Sequence, residues 1–140
     1  MSHRTAAIIG VMLSMAAVTL GLASYLHRDG DIPLGFTVIR GENFLGASTP
    51  EAVIAAVLAA AAAVVLIAPH RARPIALGAT AFAILGTAFG MTVTIPRGRA
   101  DDIVYHSVLL AWLLVTGAIL LRWSRRAPKP LAQEREMSRS

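Results

Sequence analysis

Apolar residues gather into four long stretches, 6–26, 52–68, 75–95 and 103–121, and polar residues into the segments between them. No Asp, Glu, Lys or Arg falls within any stretch, and the one histidine inside them, His106, lies near an end. An α-helix rises about 1.5 Å per residue, so about 20 apolar residues cross a hydrocarbon core of about 30 Å. The first, third and fourth stretches have that length. The second is shorter, and Pro50 and Glu51 supply its outer turn, giving a span over 51–68. In lipid every backbone polar group needs an internal partner, so all four stretches are predicted as helices. The pattern predicts an all-α protein: a transmembrane four-helix bundle over 1–122, followed by a basic, disordered tail over 123–140. Pro128 and Pro130 block a continuous helix in that tail. A cleaved signal peptide is the alternative for the first stretch, with Arg4 before it and Gly21-Leu22-Ala23 as a cleavage site. The apolar region is long for a signal core, which favours a span.

The segments between spans set the orientation. With four spans both termini share a side. That side carries Arg4, Arg71, Arg73, Arg122, Arg125, Arg126, Lys129, Arg135 and Arg139, against Arg28, Arg40, Arg97 and Arg99 on the other. The acids divide the opposite way, with only Glu134 and Glu136 on the basic side. The richer side is expected to be cytoplasmic, so both termini are. Tyr25 and Tyr105 then sit at the outer edge and Trp123 at the inner edge, where amphipathic rings are favoured. Trp112 lies mid-span and reads as packing. The outer loop 27–49 is rich in glycine, and Leu34, Phe36 and Val38 alternate with Gly35 and Thr37 as in a short strand. Ser48 and Glu51 have capping-box spacing, with Pro50 in the first turn, so Glu51 reads as a helix-start residue favoured by the helix dipole. Pro69 to Pro74 forms a tight turn that pairs the second and third spans as a hairpin.

Composition narrows the chemistry. The chain is 56% hydrophobic with a positive mean hydropathy. It has no cysteine, which excludes disulfides, thiolate metal sites and cysteine nucleophiles. A net charge of +5 in so apolar a chain reads as topology and as attraction of the tail to anionic lipid, not as nucleic-acid binding. The expected location is the cell membrane, as a multi-pass protein of a bacterial plasma membrane.

Small residues form stripes at intervals of three and four. Gly10, Ser14, Ala17 and Gly21 lie along the first helix, and Ala79, Ala83, Gly86 and Gly90 along the third. Such stripes let helix backbones approach closely in lipid. They serve packing within the bundle first, and a membrane-protein partner or a second copy as the sharper alternative. The similar halves also hint at an internal repeat, with 27–31 and 97–102 in corresponding places.

Ion-coupled transport usually needs an ionisable group inside the membrane, and none is visible within the stretches. The four-helix small multidrug transporters need a glutamate in their first helix, where this chain has only Ser14, Thr19 and Ser24. Of the histidines His3, His27, His70 and His106, none is near mid-membrane, so a haem anchor with facing histidines is not expected. No cofactor is assigned. One polar cluster remains at the outer rim: His27, Asp101, Asp102 and His106, with Asp29, Asp31 and Glu42 on the same side. Asp102 and His106 are four apart and share a helix face. A metal or a bis-histidine haem is the sharp reading of this cluster, and an interfacial histidine with acids at a helix start is the plain one.

Asp102-Ile103-Val104-Tyr105-His106 followed by an apolar helix resembles a family of small four-span membrane proteins of unknown function from GC-rich bacteria. The similarity covers roughly residues 6–122, mainly as topology, and carries over Asp102 and His106. The family tends to have a histidine near the start of its second span, where this chain has Pro50-Glu51-Ala52-Val53. The expected function is that of a noncatalytic membrane protein, an accessory or regulatory subunit of a membrane complex. The alternative is a small carrier, channel or lipid-handling protein with a Ser/Thr-lined path past Thr80, Thr87, Thr92 and Thr94.

Overall fold

The computed structural model describes residues 3–28, 30–39, 41 and 44–124, the last two by backbone only. Asp29, Arg40, Glu42 and the tail from Arg125 lie outside the described residues, as does the side chain of Trp123. Within them the chain is helical apart from one small hairpin. The helices are α1 (His3–Leu26), α2 (Leu45–Ile67), α3 (Ala72–Arg97) and α4 (Ala100–Ser124). At 1.5 Å per residue each is roughly 35–39 Å long. All four are long and apolar enough to cross a membrane, which fits a multi-pass membrane protein.

The helices are apolar on both faces. Ile9, Leu13, Leu20, Leu58, Val65, Leu113 and Leu120 are buried, while Ile8, Val11, Met15, Val18, Leu85, Phe89 and Val108 are exposed. A water-soluble helix would carry polar residues on that outer face; one that is apolar all round suits lipid. Consecutive helices pack on one another, α1 on α2, α2 on α3 and α3 on α4. α1 and α4 also meet, more thinly than these, and there the Trp112 indole N–H donates to the Met12 carbonyl at 3.0 Å.

The small-residue stripes divide by position. A methyl group on Gly10 would lie 2.6 Å from the Leu66 side chain of α2, and one on Gly86 would lie 2.5 Å from Ile54 of α2. Gly90 sits against the His106 ring of α4. Ala17, Ala79 and Ala83 are buried and Ser14 is half-buried. Gly21 is exposed with open space around it.

The start of α2 departs from expectation. The helix begins at Leu45, six residues before Glu51, and its N-cap, Phe44, makes no side-chain cap. Ser48 is therefore not a cap; its hydroxyl donates back to the Leu45 carbonyl. Tertiary contacts hold the extra turn. The Phe44 N–H donates to the His27 carbonyl at 2.9 Å, and the Ser24 hydroxyl of α1 donates to the Ser48 carbonyl at 2.6 Å. Pro50 lies inside the helix and offers no N–H to the Gly46 carbonyl. The loop before α2 holds a two-stranded antiparallel hairpin, β1 (Ile32–Pro33) with β2 (Val38–Ile39), in register Ile32↔Ile39 and Pro33↔Val38. Its turn falls at Gly35 and Phe36, so the alternating segment is a turn flanked by strands. Gly35, at φ +82°, supplies the conformation that first position demands. Gly41 passes so close to the Leu26 carbonyl that a side chain would collide with main chain.

The contrast within the first stripe is testable. Gly10→Leu overpacks the α1–α2 contact and is expected to cost about 1–3 kcal/mol. Gly21→Leu, facing open space, should cost nothing. Unfolding of both variants in mixed micelles measures the difference, and equal losses would contradict this packing.

Candidate functional site

The polar groups that matter lie at one end of the helices, where α1 finishes, α2 starts and the α3–α4 connection turns. His27 follows the last turn of α1, its N–H donating to the Ala23 carbonyl at 2.9 Å. Its Nδ1 stands 2.7 Å from Oε2 of Glu51 on α2. Glu51 is only 5% exposed although it carries a carboxylate. The other oxygen, Oε1, is buried with no hydrogen-bond partner. The Phe44 ring meets the His27 ring at right angles, with centroids 5.9 Å apart, and the Arg97 guanidinium stands 3.8 Å from the centre of the Phe44 ring. An aromatic ring and a cation thus cover the pair on one side.

On the far side is His106, buried at 7% exposure on α4. Its Nδ1 is 2.8 Å from the Asp102 carbonyl. A carbonyl can only accept, so Nδ1 carries the proton and the neutral ring's Nε2 is left as an acceptor. Nε2 packs against Gly90, where an added Cβ would lie 3.1 Å away. Asp102 thus reaches His106 through its main chain. The Asp102 carboxylate faces the Arg99 guanidinium at 3.6 Å instead.

These groups line one cavity of about 80 Å³. His27, Glu51, Asp102, His106, Thr87 and Thr94 supply its polar wall, and Leu20, Ile54, Phe89 and Val93 its apolar wall. The Thr87 hydroxyl is buried without a partner. Of the expected cluster, His27, Asp102 and His106 come together here. Asp101 does not; its carboxylate is exposed and paired with Arg99 at 2.8 Å. Of the threonines, Thr92 is exposed and bonds its own Phe89 carbonyl, and Thr80 is buried away from this cavity.

Glu51 is the residue that sequence reasoning misjudged. It belongs to the packing face of α2, three residues before Ile54 and seven before Leu58, both buried. That spacing was the available signal, masked by a plausible capping box. With the helix starting at Leu45, an acid does lie inside an apolar helix, contrary to expectation. The haem reading fails on size, because a cavity of about 80 Å³ cannot hold a porphyrin. Among the described residues no three His, Asp or Glu side chains come close enough to hold a metal ion.

The carboxylate of Glu51, by accepting from Nδ1, raises the proton affinity of His27 above its ordinary value of 6.5, against a smaller opposing effect of burial. The folded form then binds a proton that the unfolded chain gives up near pH 6.5. This stabilisation is complete below that pH and is lost as pH rises through the raised value.

No protein-family model, curated protein or solved structure matches the chain.

The pair makes a pH-dependent prediction. The gap in melting temperature between wild type and His27→Gln is expected to be largest at pH 6 and to shrink as pH rises from neutral. A gap that grows with pH would reverse the assignment. His27→Ala, which leaves the carboxylate unpaired, should cost about 1–3 kcal/mol, less than a fully buried pair because His27 is partly exposed.

Proposed function

We propose that the protein is a four-helix bundle of the bacterial plasma membrane, with both termini cytoplasmic, that binds a small solute in the cavity beside Glu51 and acts as a small carrier. The observation that carries this reading is a buried carboxylate, one oxygen of which has no hydrogen-bond partner, on a residue that borders a cavity. An ionisable group inside a membrane helix is costly to keep and marks a solute or ion path by default. The cavity, at about 80 Å³, is too small for a drug-sized ligand; such ligands occupy about 300–1,000 Å³.

A role as a noncatalytic accessory or regulatory subunit has less support. It drew on the small-residue stripes as partner surfaces. Gly10, Gly86 and Gly90 instead meet side chains of this same chain. The excess of Lys and Arg at the termini and at the α2–α3 turn supports the orientation, with the Glu51 cavity toward the outside. The basic tail suits anionic lipid on the cytoplasmic leaflet. The resemblance to small four-span proteins agrees with this architecture and carries no substrate.

Purified protein in liposomes tests the function. Uptake of methylammonium, acetate and glycerol is followed in parallel. Uptake of one of them above empty vesicles is expected, and Glu51→Gln should reduce it to that background. If none enters faster than in empty vesicles, the carrier reading fails. The orientation has a separate test. A reporter enzyme that works only outside the cytoplasm, fused after Arg122, should stay silent, and activity there would overturn the topology.

A further inference from the structure

We infer that the ligand of the Glu51 cavity is a small protonated amine, of the size of ammonium or methylammonium, bound in exchange for the proton of His27. The inference rests on the carrier reading of the same cavity and names what it takes.

The cavity wall is mostly apolar, and the polar residues that border it bring chiefly acceptors. Glu51 Oε1 is buried and unpartnered, as is Thr87 Oγ1, and both residues are more than nine-tenths buried. His106 Nε2 is an acceptor because Nδ1–H is committed to the Asp102 carbonyl. The Asp102 carboxylate borders the cavity as well, with the Arg99 guanidinium 3.6 Å from it. The Nδ1–H of His27 is already taken by Glu51 Oε2. An anion would meet two carboxylates here, and a neutral acceptor would find only the Thr87 hydroxyl. An alkylammonium, which has donors and no acceptors, suits such a wall and needs only the Glu51 carboxylate as its charged partner. Size agrees. At about 10–15 Å³ per water-sized probe, about 80 Å³ admits a handful of such probes, hence a few heavy atoms.

Charge balance supplies the exchange. The charged groups around His27 are Glu51 on α2, Asp102 on α4 and Arg99 before α4; α3 contributes Thr87, Thr94 and Gly90 to the wall, with Arg97 beyond Phe44. Glu51 favours the protonated form of His27, and in that form the imidazole is the counter-charge of the carboxylate in the empty site. A cation arriving at Oε1 takes over that part and repels the imidazolium. The proton on Nε2 of His27 then leaves to outer water, while Nδ1–H stays on Oε2. One positive charge enters and one leaves, so the buried site never holds an extra charge, which low-dielectric surroundings would penalise. A more open cleft of about 350 Å³ between α1 and α4 shares His27 and Asp102 with the cavity and also has Asp101 on its wall. Asp101 and Asp102 beside that cleft share the single guanidinium of Arg99, which leaves one negative charge of the three groups uncompensated.

The test uses the full chain in detergent, titrated with methylammonium chloride. Calorimetry reads binding, and a pH dye in weak buffer near neutrality reads proton release. Wild type is expected to bind in the millimolar range or tighter and to release a proton with each cation. Glu51→Gln should lose both signals, and Glu51→Asp should retain weakened binding. His27→Gln should bind without releasing a proton. Tetramethylammonium, which has no N–H, should not bind. Helical content and monodispersity establish that each variant is folded. If Glu51→Gln does not fold, Glu51→Asp and His27→Gln decide between the outcomes. Absence of methylammonium binding, undiminished binding in Glu51→Gln, or proton release undiminished in His27→Gln would each overturn the inference. If methylammonium does not bind while another solute enters liposomes in a Glu51-dependent way, this inference falls and the carrier reading stands.

Discussion

The contact between His27 and Glu51 is the constraint around which one end of the molecule is organised. A carboxylate taken out of water loses several kcal/mol of solvation, and only a close partner with good geometry offsets that. The partner here is 2.7 Å away on a different helix. The end of α1 and the start of α2 must therefore stay in register. The Ser24 hydroxyl on the Ser48 carbonyl, one helical turn before each member of the pair, fixes the same register by a second route. The Phe44 N–H on the His27 carbonyl closes the loop onto it. The extra turn of α2 is a consequence. It has no side-chain cap and contains Pro50, yet it forms, because three contacts with α1 hold it where local propensity would not.

Elsewhere the molecule obeys a different rule. Both faces of its helices are apolar, so transfer from water does not tell inside from outside. Shape does. Where Gly10 faces Leu66 and Gly86 faces Ile54, the absence of a side chain on one helix admits a branched one from the next. Helix association in lipid depends on such close approach. Among the described residues, buried polar side chains are few and mostly threonine and serine, two of which, Ser48 and Thr116, bond to main-chain carbonyls of their own helix.

The helices were legible in the sequence because lipid demands long runs without charge, and such runs cannot be mistaken. The glycine-rich loop was legible only as irregular; its turn at Gly35 depends on pairing that no short pattern specifies. His27, Asp102 and His106 were legible as a group because topology alone puts them on one side. Glu51 was not. Its sequence neighbourhood, Ser48-Thr49-Pro50-Glu51, satisfies a helix-start motif, and local motifs are silent about tertiary partners. The decision between cap and site lay with Ser24 and His27, more than 20 residues away. Asp101 failed in the opposite sense. It is adjacent to Asp102 and equally acidic, but one residue along a helix is a rotation of about 100°, enough to carry it from the cavity wall to the solvent.

The uneven packing of the four helices bears on how such a site would be reached. α1 is held tightly to α2 by the pair and its neighbours, while α1 and α4 meet thinly. At mid-length, that side is tied by the Trp112 indole to the Met12 carbonyl, a bond that needs no bulky interface. Toward the Glu51 end, it opens into the cleft bordered by Thr19, Leu26, Tyr105 and Asp102. The backbones of α1 and α4 lie farther apart than those of α1 and α2, with Trp112 filling part of the space between them. Glu51 is thus held on the side where α1 packs closely on α2, next to the side where the cleft between α1 and α4 opens, so the pair that fixes the register of α1 and α2 lies at the border between the two kinds of packing.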